Sequence, residues 1–160
     1  MPFHSLKDLY VDELRDLYDA ERQIIAAMPK MIQAASSSDL RQAFQHHLGE
    51  TRIQVERLDL IFKNLGVEPK GRHCKGMEGI LAEANEIVSE GGAPDVADAA
   101  LISAAQRVEH YEISSYGSAR TFADRLEDRY AGDLLQKTLD EEGRTDKALT
   151  SLAGTGINQK

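Results

Sequence analysis

Four long stretches of this chain carry apolar residues at three- and four-residue intervals, and nowhere does a sustained two-residue alternation point to a strand. A helix patterned this way has one apolar stripe and must bury it against other helices. Proline, which interrupts such helices, occurs only at positions 2, 29, 69 and 94. The expected fold class is therefore all-α. The first helix is predicted over about 5–35, with the stripe Leu6, Leu9, Leu14, Leu17, Glu21, Ile24, Met28, Met31 and Ala35 and a kink at Pro29. The second, over about 39–65, carries Leu40, Phe44, Leu48, Thr51, Val55, Leu58 and Phe62. It should open on Ser38 and close on Gly66 in a left-handed cap.

Residues 67–75 read as loop, and a short helix is expected over about 76–90, bearing Met77, Ile80, Leu81, Ile87 and Val88. Gly91-Gly92-Ala93-Pro94 is the clearest break, and Pro94 suits a first helical turn. The helix that follows should reach about 125 with Leu101, Ala105, Val108, Glu112, Tyr116, Ala119 and Phe122 inward. A turn near Leu126–Asp128 leads to the last helix, about 129–153, with Leu135, Thr138, Leu139, Glu142, Leu149 and Leu152 inward. Gly154 should end it, leaving a frayed tail. Two tight helix pairs joined by a connection of about 28 residues describe an antiparallel four-helix bundle with one long crossover. That is the ferritin-like layout, in one domain spanning 1–160, and cores of this kind can hold metal ions between carboxylates.

Charge narrows the partners. A net charge of −8 argues against nucleic acid or an anionic membrane surface. No apolar run is long enough to span a bilayer, and the first residues lack a basic segment followed by an apolar one, so a cytoplasmic location is expected. Cys74 is the only cysteine, which excludes an internal disulfide and fits a reducing compartment.

The stripes are interrupted by acids. Glu21, Glu112 and Glu142 each occupy an inward position, and Glu50 lies on the shoulder of its stripe beside Thr51, with Gln54 four residues on. A carboxylate taken out of water needs a proton, an ion-pair partner or a cation. With the first turn centred on residue 37, Glu21 lies between Glu50 and Gln54 in height, within about 5 Å of either, whereas His47 is about 9 Å off level. With the second centred on 127, Glu112 and Glu142 are level, and Glu109 and Asp146 form the adjoining layer. Glu141 is the rival of Glu142 if the helix is turned by one residue. The two halves also echo one another: Glu50-Thr-Arg-Ile-Gln54 resembles Glu142-Gly-Arg-Thr-Asp146. An oxygen-rich set of this kind suits iron or manganese, with zinc also accommodated, and bridging glutamates can hold two ions together.

The segments Tyr-Asp-Ala-Glu-Arg-Gln (18–23), His-Leu-Gly-Glu-Thr-Arg-Ile-Gln-Val-Glu-Arg-Leu (47–58), Val-Glu-His-Tyr-Glu-Ile (108–113) and Thr-Leu-Asp-Glu-Glu-Gly-Arg-Thr-Asp (138–146) resemble the YciE/YciF-like branch of the ferritin-like superfamily. The resemblance implies a homodimeric bundle, a link to bacterial stress and a di-iron or other metal centre. Glu21 and Glu112 match the superfamily pattern. The usual Glu-x-x-His is absent, because the positions three after Glu50 and Glu142 are Ile53 and Thr145. The expected ligands are thus Glu21, Glu50, Glu112 and Glu142, with Glu109, Gln54 and Asp146 as auxiliaries and two iron ions as the cofactor. The rival class is a non-catalytic stress or structural protein with a metal-free polar core layer.

Other candidates carry blander expectations. His46, His47, His73 and His110 form no inward pair at four-residue spacing and are assigned to surfaces or interfaces, although His47 reaches the cluster if the turn is misplaced. Tyr18, Tyr111 and Tyr116 lie near the layer and are expected to pack, each hydroxyl finding a partner. Cys74 is expected to be quiet, with no second cysteine to resolve an oxidised sulfur.

Overall fold

The structure, a computed structural model, describes residues 2–156. It contains five helices: α1 Leu6–Ala34, α2 Ser38–Leu65, α3 Lys75–Glu90, α4 Pro94–Arg125 and α5 Arg129–Thr155. No strand occurs among the described residues. Residues 157–160, expected as a frayed tail, lie outside the described residues, and α5 runs past Gly154 rather than ending there.

Local chemistry sets most helix ends. The Ser5 and Asp128 side chains accept from the amides of Asp8 and Ala131. At α2 the cap is Ser37, one residue earlier than Ser38, accepting from Leu40 N at 3.4 Å. Gly66 closes α2 at φ 67°, and Pro94 sits in the first turn of α4. α1 continues through Pro29 without a break. The α1–α2 turn is also held from across the molecule. The buried Asp98 of α4 accepts from Ser36 N at 2.8 Å and Ser37 N at 2.7 Å.

α1 packs on α2 and α4, and α5 packs on α4 and α2, so these four close a ring of neighbours. α3 lies against α1 and α4. The core divides into two apolar halves. One gathers Ile24, Met28, Met31, Leu40, Phe44, Leu101 and Leu149. The other gathers Leu14, Leu17, Leu58, Phe62, Tyr116 and Leu135. Along each of the four helices the residues between these halves are polar and buried: Glu21 on α1, His47, Thr51 and Gln54 on α2, Glu109 and Glu112 on α4, Thr138 and Glu142 on α5. A single polar layer therefore crosses the middle of the core.

The inward faces differ from expectation in places. Leu6 is exposed, and Leu9, Leu48, Val55, Phe122, Leu139 and Leu152 are only half-buried, while Tyr10 and Ile61 are fully buried. On α2 the face is turned so that Leu40, Phe44, His47, Thr51, Gln54, Leu58 and Ile61 point inward.

Candidate metal centre

The polar layer gathers one ligand atom from each of His47, Glu109, Glu112 and Glu142 within 4.8 Å of one another. All four residues are buried, and Glu21 lies among them, fully buried as well. The placement follows from helical spacing: Glu109 and Glu112 are one turn apart on α4, and His47 and Gln54, seven residues apart, share a face of α2.

Two neutral donors fix two of the acids. Tyr116 Oη donates to Glu21 Oε1 at 2.5 Å, and Gln54 Nε2 donates to Glu142 Oε1. The remaining atoms face no donor. Glu21 Oε2, Glu109 Oε2, both Glu112 oxygens, Glu142 Oε2, Gln54 Oε1 and both His47 nitrogens are buried without a hydrogen-bond partner. His47 Nε2 is 3.2 Å from Glu109 Oε1, but the ring is not aligned to bond it. Buried polar atoms are normally satisfied, so this convergence has the donor set and the vacant lone pairs that a cation requires.

Electrostatics agree with that reading. Burial first, then the neighbouring carboxylates, pushes Glu109 and Glu112 well above the usual carboxylate range. Burial likewise raises Glu21 to about 8, despite the lowering effect of the bond it accepts from Tyr116. Burial lowers His47, leaving a neutral imidazole that can offer a lone pair to a metal.

The expected ligands thus separate into two groups. Glu21, Glu109, Glu112, Glu142 and Gln54 come together in the layer. Glu50 and Asp146 do not. Glu50 is half-buried at the edge, 3.3 Å from His46 Nε2 and accepting from Thr145 Oγ1 at 3.3 Å. Asp146 turns away toward His110 Nε2 at 3.1 Å and Gln106 Nε2 at 3.2 Å. Glu141 is occupied by Arg57, which makes two bonds of 2.7 Å to its carboxylate, and by Gln54 at 3.0 Å. His47, expected at a surface or interface unless the first turn was misplaced, is only 3% exposed and belongs to the cluster. The signal that finds it is the strict four-three alternation from Leu40 through Phe44, His47, Thr51, Gln54 and Leu58 to Ile61. Following the apolar Leu48 and Val55 instead turns the helix away from it.

A second buried polar cluster sits where α3 meets α1 and α4. Tyr111 Oη donates to Asp16 Oδ2 at 2.6 Å, and the Cys74 thiol donates to the same oxygen at 3.1 Å. Arg72 Nε pairs with Asp16 Oδ1 at 3.2 Å. Burial pushes the Cys74 thiol up to about 11, so it is protonated at neutral pH.

Residues 5–160 match the family model described as a domain of unknown function, DUF892. The chain belongs to the DUF892 family. Protein YciF of Escherichia coli K12, a relative, is 44% identical over 161 residues, covering all of this chain and 97% of its own length. The crystal structure of the E. coli stress protein YciF superposes with a TM-score of 0.95 at 43% identity, covering 99% of this chain and 100% of that one. YcfI from Rhodopseudomonas palustris superposes with a TM-score of 0.90 at 41% identity, covering 92% of this chain and 94% of that one. Among the described residues, no helix is long and apolar enough to cross a membrane.

Proposed function

We propose that this DUF892 chain is a ferritin-like four-helix bundle, with α3 in its long crossover, and that the polar layer is a carboxylate-rich di-metal centre that takes two iron ions. The observation that carries this reading is the convergence of His47, Glu109, Glu112 and Glu142 within 4.8 Å, buried and short of donors. Four acids, Glu21, Glu109, Glu112 and Glu142, match the charge of two divalent cations. Manganese or zinc would fit the same donors. Bound iron would supply one-electron redox chemistry toward dioxygen or peroxide.

The chain's own residues prepare the site. Tyr116 and Gln54 each hold one oxygen of Glu21 and Glu142, which leaves the second oxygen of each to face a cation. Arg57 holds Glu141 beside Gln54 and so steadies the amide that orients Glu142. The apolar halves on either side exclude water and strengthen these interactions. Similarity to the stress protein YciF supports a stress-related role, which we assign to a cytoplasmic homodimer without nucleic-acid or membrane partners. Replacing Glu21 and Glu142 together by Ala tests the reading: stoichiometric metal uptake should be lost, and retained uptake would overturn it.

One observation favours a second reading. With Glu21 raised to about 8 beside the raised Glu112, the two acids can share protons at neutral pH, and a metal-free polar layer then serves the fold alone. Under that reading the double substitution changes stability and no metal stoichiometry.

A further inference from the structure

Most hydrogen bonds of the polar layer end inside the core. Tyr116, which bonds Glu21, is itself fully buried, and neither nitrogen of His47 nor either oxygen of Glu112 bonds outward. Among the described residues, one hydrogen-bonded chain leads from the layer to side chains that touch solvent, along the seam between α2 and α5. The Gln54 amide donates to Glu142 Oε1 in the layer and, at 3.0 Å, to Glu141 Oε2. Arg57 Nη1 and Nη2 then donate to the two Glu141 oxygens at 2.7 Å each, and Nη1 also reaches Thr138 Oγ1 at 3.1 Å. Arg57 and Glu141 keep 17% and 12% of their side-chain surface exposed, whereas Gln54 and Glu142 behind them have none. Glu50, half-buried, lies on the same side of α2 two turns before Arg57.

A divalent cation gives up its water only in exchange for other oxygens, so it crosses a packed core only where carboxylates follow one another. Glu50 and Glu141 supply negative charge at the mouth of the seam. Glu141 and Glu142 are consecutive residues of α5, one turned to the seam and one to the layer, and a single amide bonds both. Arg57 carries the wrong sign for a cation and occupies both oxygens of Glu141, so the seam is shut while that pair stands. We infer that this seam is where divalent cations enter the layer, with Arg57 as its gate and Glu141 as the carboxylate that receives the ion ahead of Glu142. This rests on the di-metal reading and deepens it by giving the centre an entrance. No electron moves in the step: the ion exchanges a water for a Glu141 oxygen as Arg57 passes from that carboxylate into solvent, and then exchanges Glu141 for Glu142.

The gate is tested first without metal. In metal-free protein the side-chain amide hydrogens of Gln54 should exchange slowly with solvent. Arg57→Ala should speed that exchange about fivefold or more, the scale set by one lost ion pair near the surface, while the backbone amides of α2 keep their protection. Arg57→Lys, which cannot grip both oxygens in one plane, should fall between and keeps the test decisive if the Ala variant fails to fold. Anaerobic Fe(II) uptake, stopped at intervals with excess ferrous chelator, reads the route itself. Arg57→Ala should take up and release iron about fivefold faster, because a gate acts in both directions. Adding Glu141→Gln should cancel the gain in uptake, since an open seam without its carboxylate has no charge to receive the ion. Loss of a mere brace would loosen the protein whichever residue stands at 141. Unchanged Gln54 exchange in folded Arg57→Ala overturns the gate, and a double variant that keeps the faster uptake overturns the role of Glu141. Wild-type protein that binds no Fe(II) while its Gln54 exchange still answers to Arg57 retires the di-metal reading and, with it, the ion entrance.

Discussion

His47 on α2 and Glu109 on α4 face each other at 3.2 Å, both buried, and make no aligned hydrogen bond. An imidazole and a carboxylate so placed act as two ligands awaiting an ion between them. His47→Ala should therefore weaken metal binding by about tenfold or more, the scale on which losses around metal sites are felt. Glu50→Gln, removing an edge carboxylate engaged with His46 and Thr145, should change it by less than about threefold. Calorimetric titration of both variants separates this geometry from a site centred on Glu50.

Glu112 has two buried oxygens and no donor for either. Glu112→Gln keeps the shape and removes an acid whose raised pKa costs stability wherever the unfolded chain has released its proton, so the metal-free protein should gain on the order of 1–2 kcal/mol near pH 8 while metal affinity falls. Thermal melts with and without metal check both halves, and a variant destabilised in the absence of metal would count against an unsatisfied acid in the layer.

The pH dependence has a definite sign. Glu21 has a folded pKa of about 8 against an ordinary value of 4.5, so the native state holds its proton where the unfolded chain has released it. Its stabilising contribution is complete below about pH 4.5 and is lost as pH rises through about 8, at about 1.4 kcal/mol per unit of displacement. The raised Glu109 and Glu112 act in the same direction. Melting curves of the metal-free protein from about pH 5.5 to about pH 8.5 should show a falling Tm. Metal binding, which displaces those protons, should tighten over the same range.

Asp98 secures the α1–α2 turn through two short bonds to Ser36 N and Ser37 N. Removing it by Asp98→Ala strands two amides and should cost about 2–4 kcal/mol. A Tm loss on the order of 5–15 °C in the variant is the expected readout.

Gly76 matters for a different reason. A Cβ there would lie 2.7 Å from Cε2 of Tyr111, so Gly76→Ala must displace the ring that bonds Asp16 and Cys74. The variant should expose Cys74 to iodoacetamide faster than the wild type, in which the buried thiol reacts slowly.

Much of this arrangement was legible in the chain because helix ends are written in short-range chemistry. Gly66 needs a left-handed backbone, and Pro94 needs a first turn. Glu21, Glu112 and Glu142 stood out because each interrupts an otherwise apolar stripe. The α2 contribution was harder to see, since the apolar Leu48 and Val55 compete with His47 and Gln54 for the inward face and mask the four-three alternation that packs against α1 and α5. Asp16 and Asp98 were missed because their partners lie more than fifty residues away in the chain. No local pattern announces a carboxylate that caps another helix pair.

The central claim is tested most directly by anaerobic titration of the wild-type protein with Fe(II), followed by air, reading iron content and near-ultraviolet absorbance together. The account predicts saturation at about two irons per chain and a ferric band on exposure to oxygen. Absence of saturable binding would contradict it and leave the buried acids of the polar layer to serve the fold.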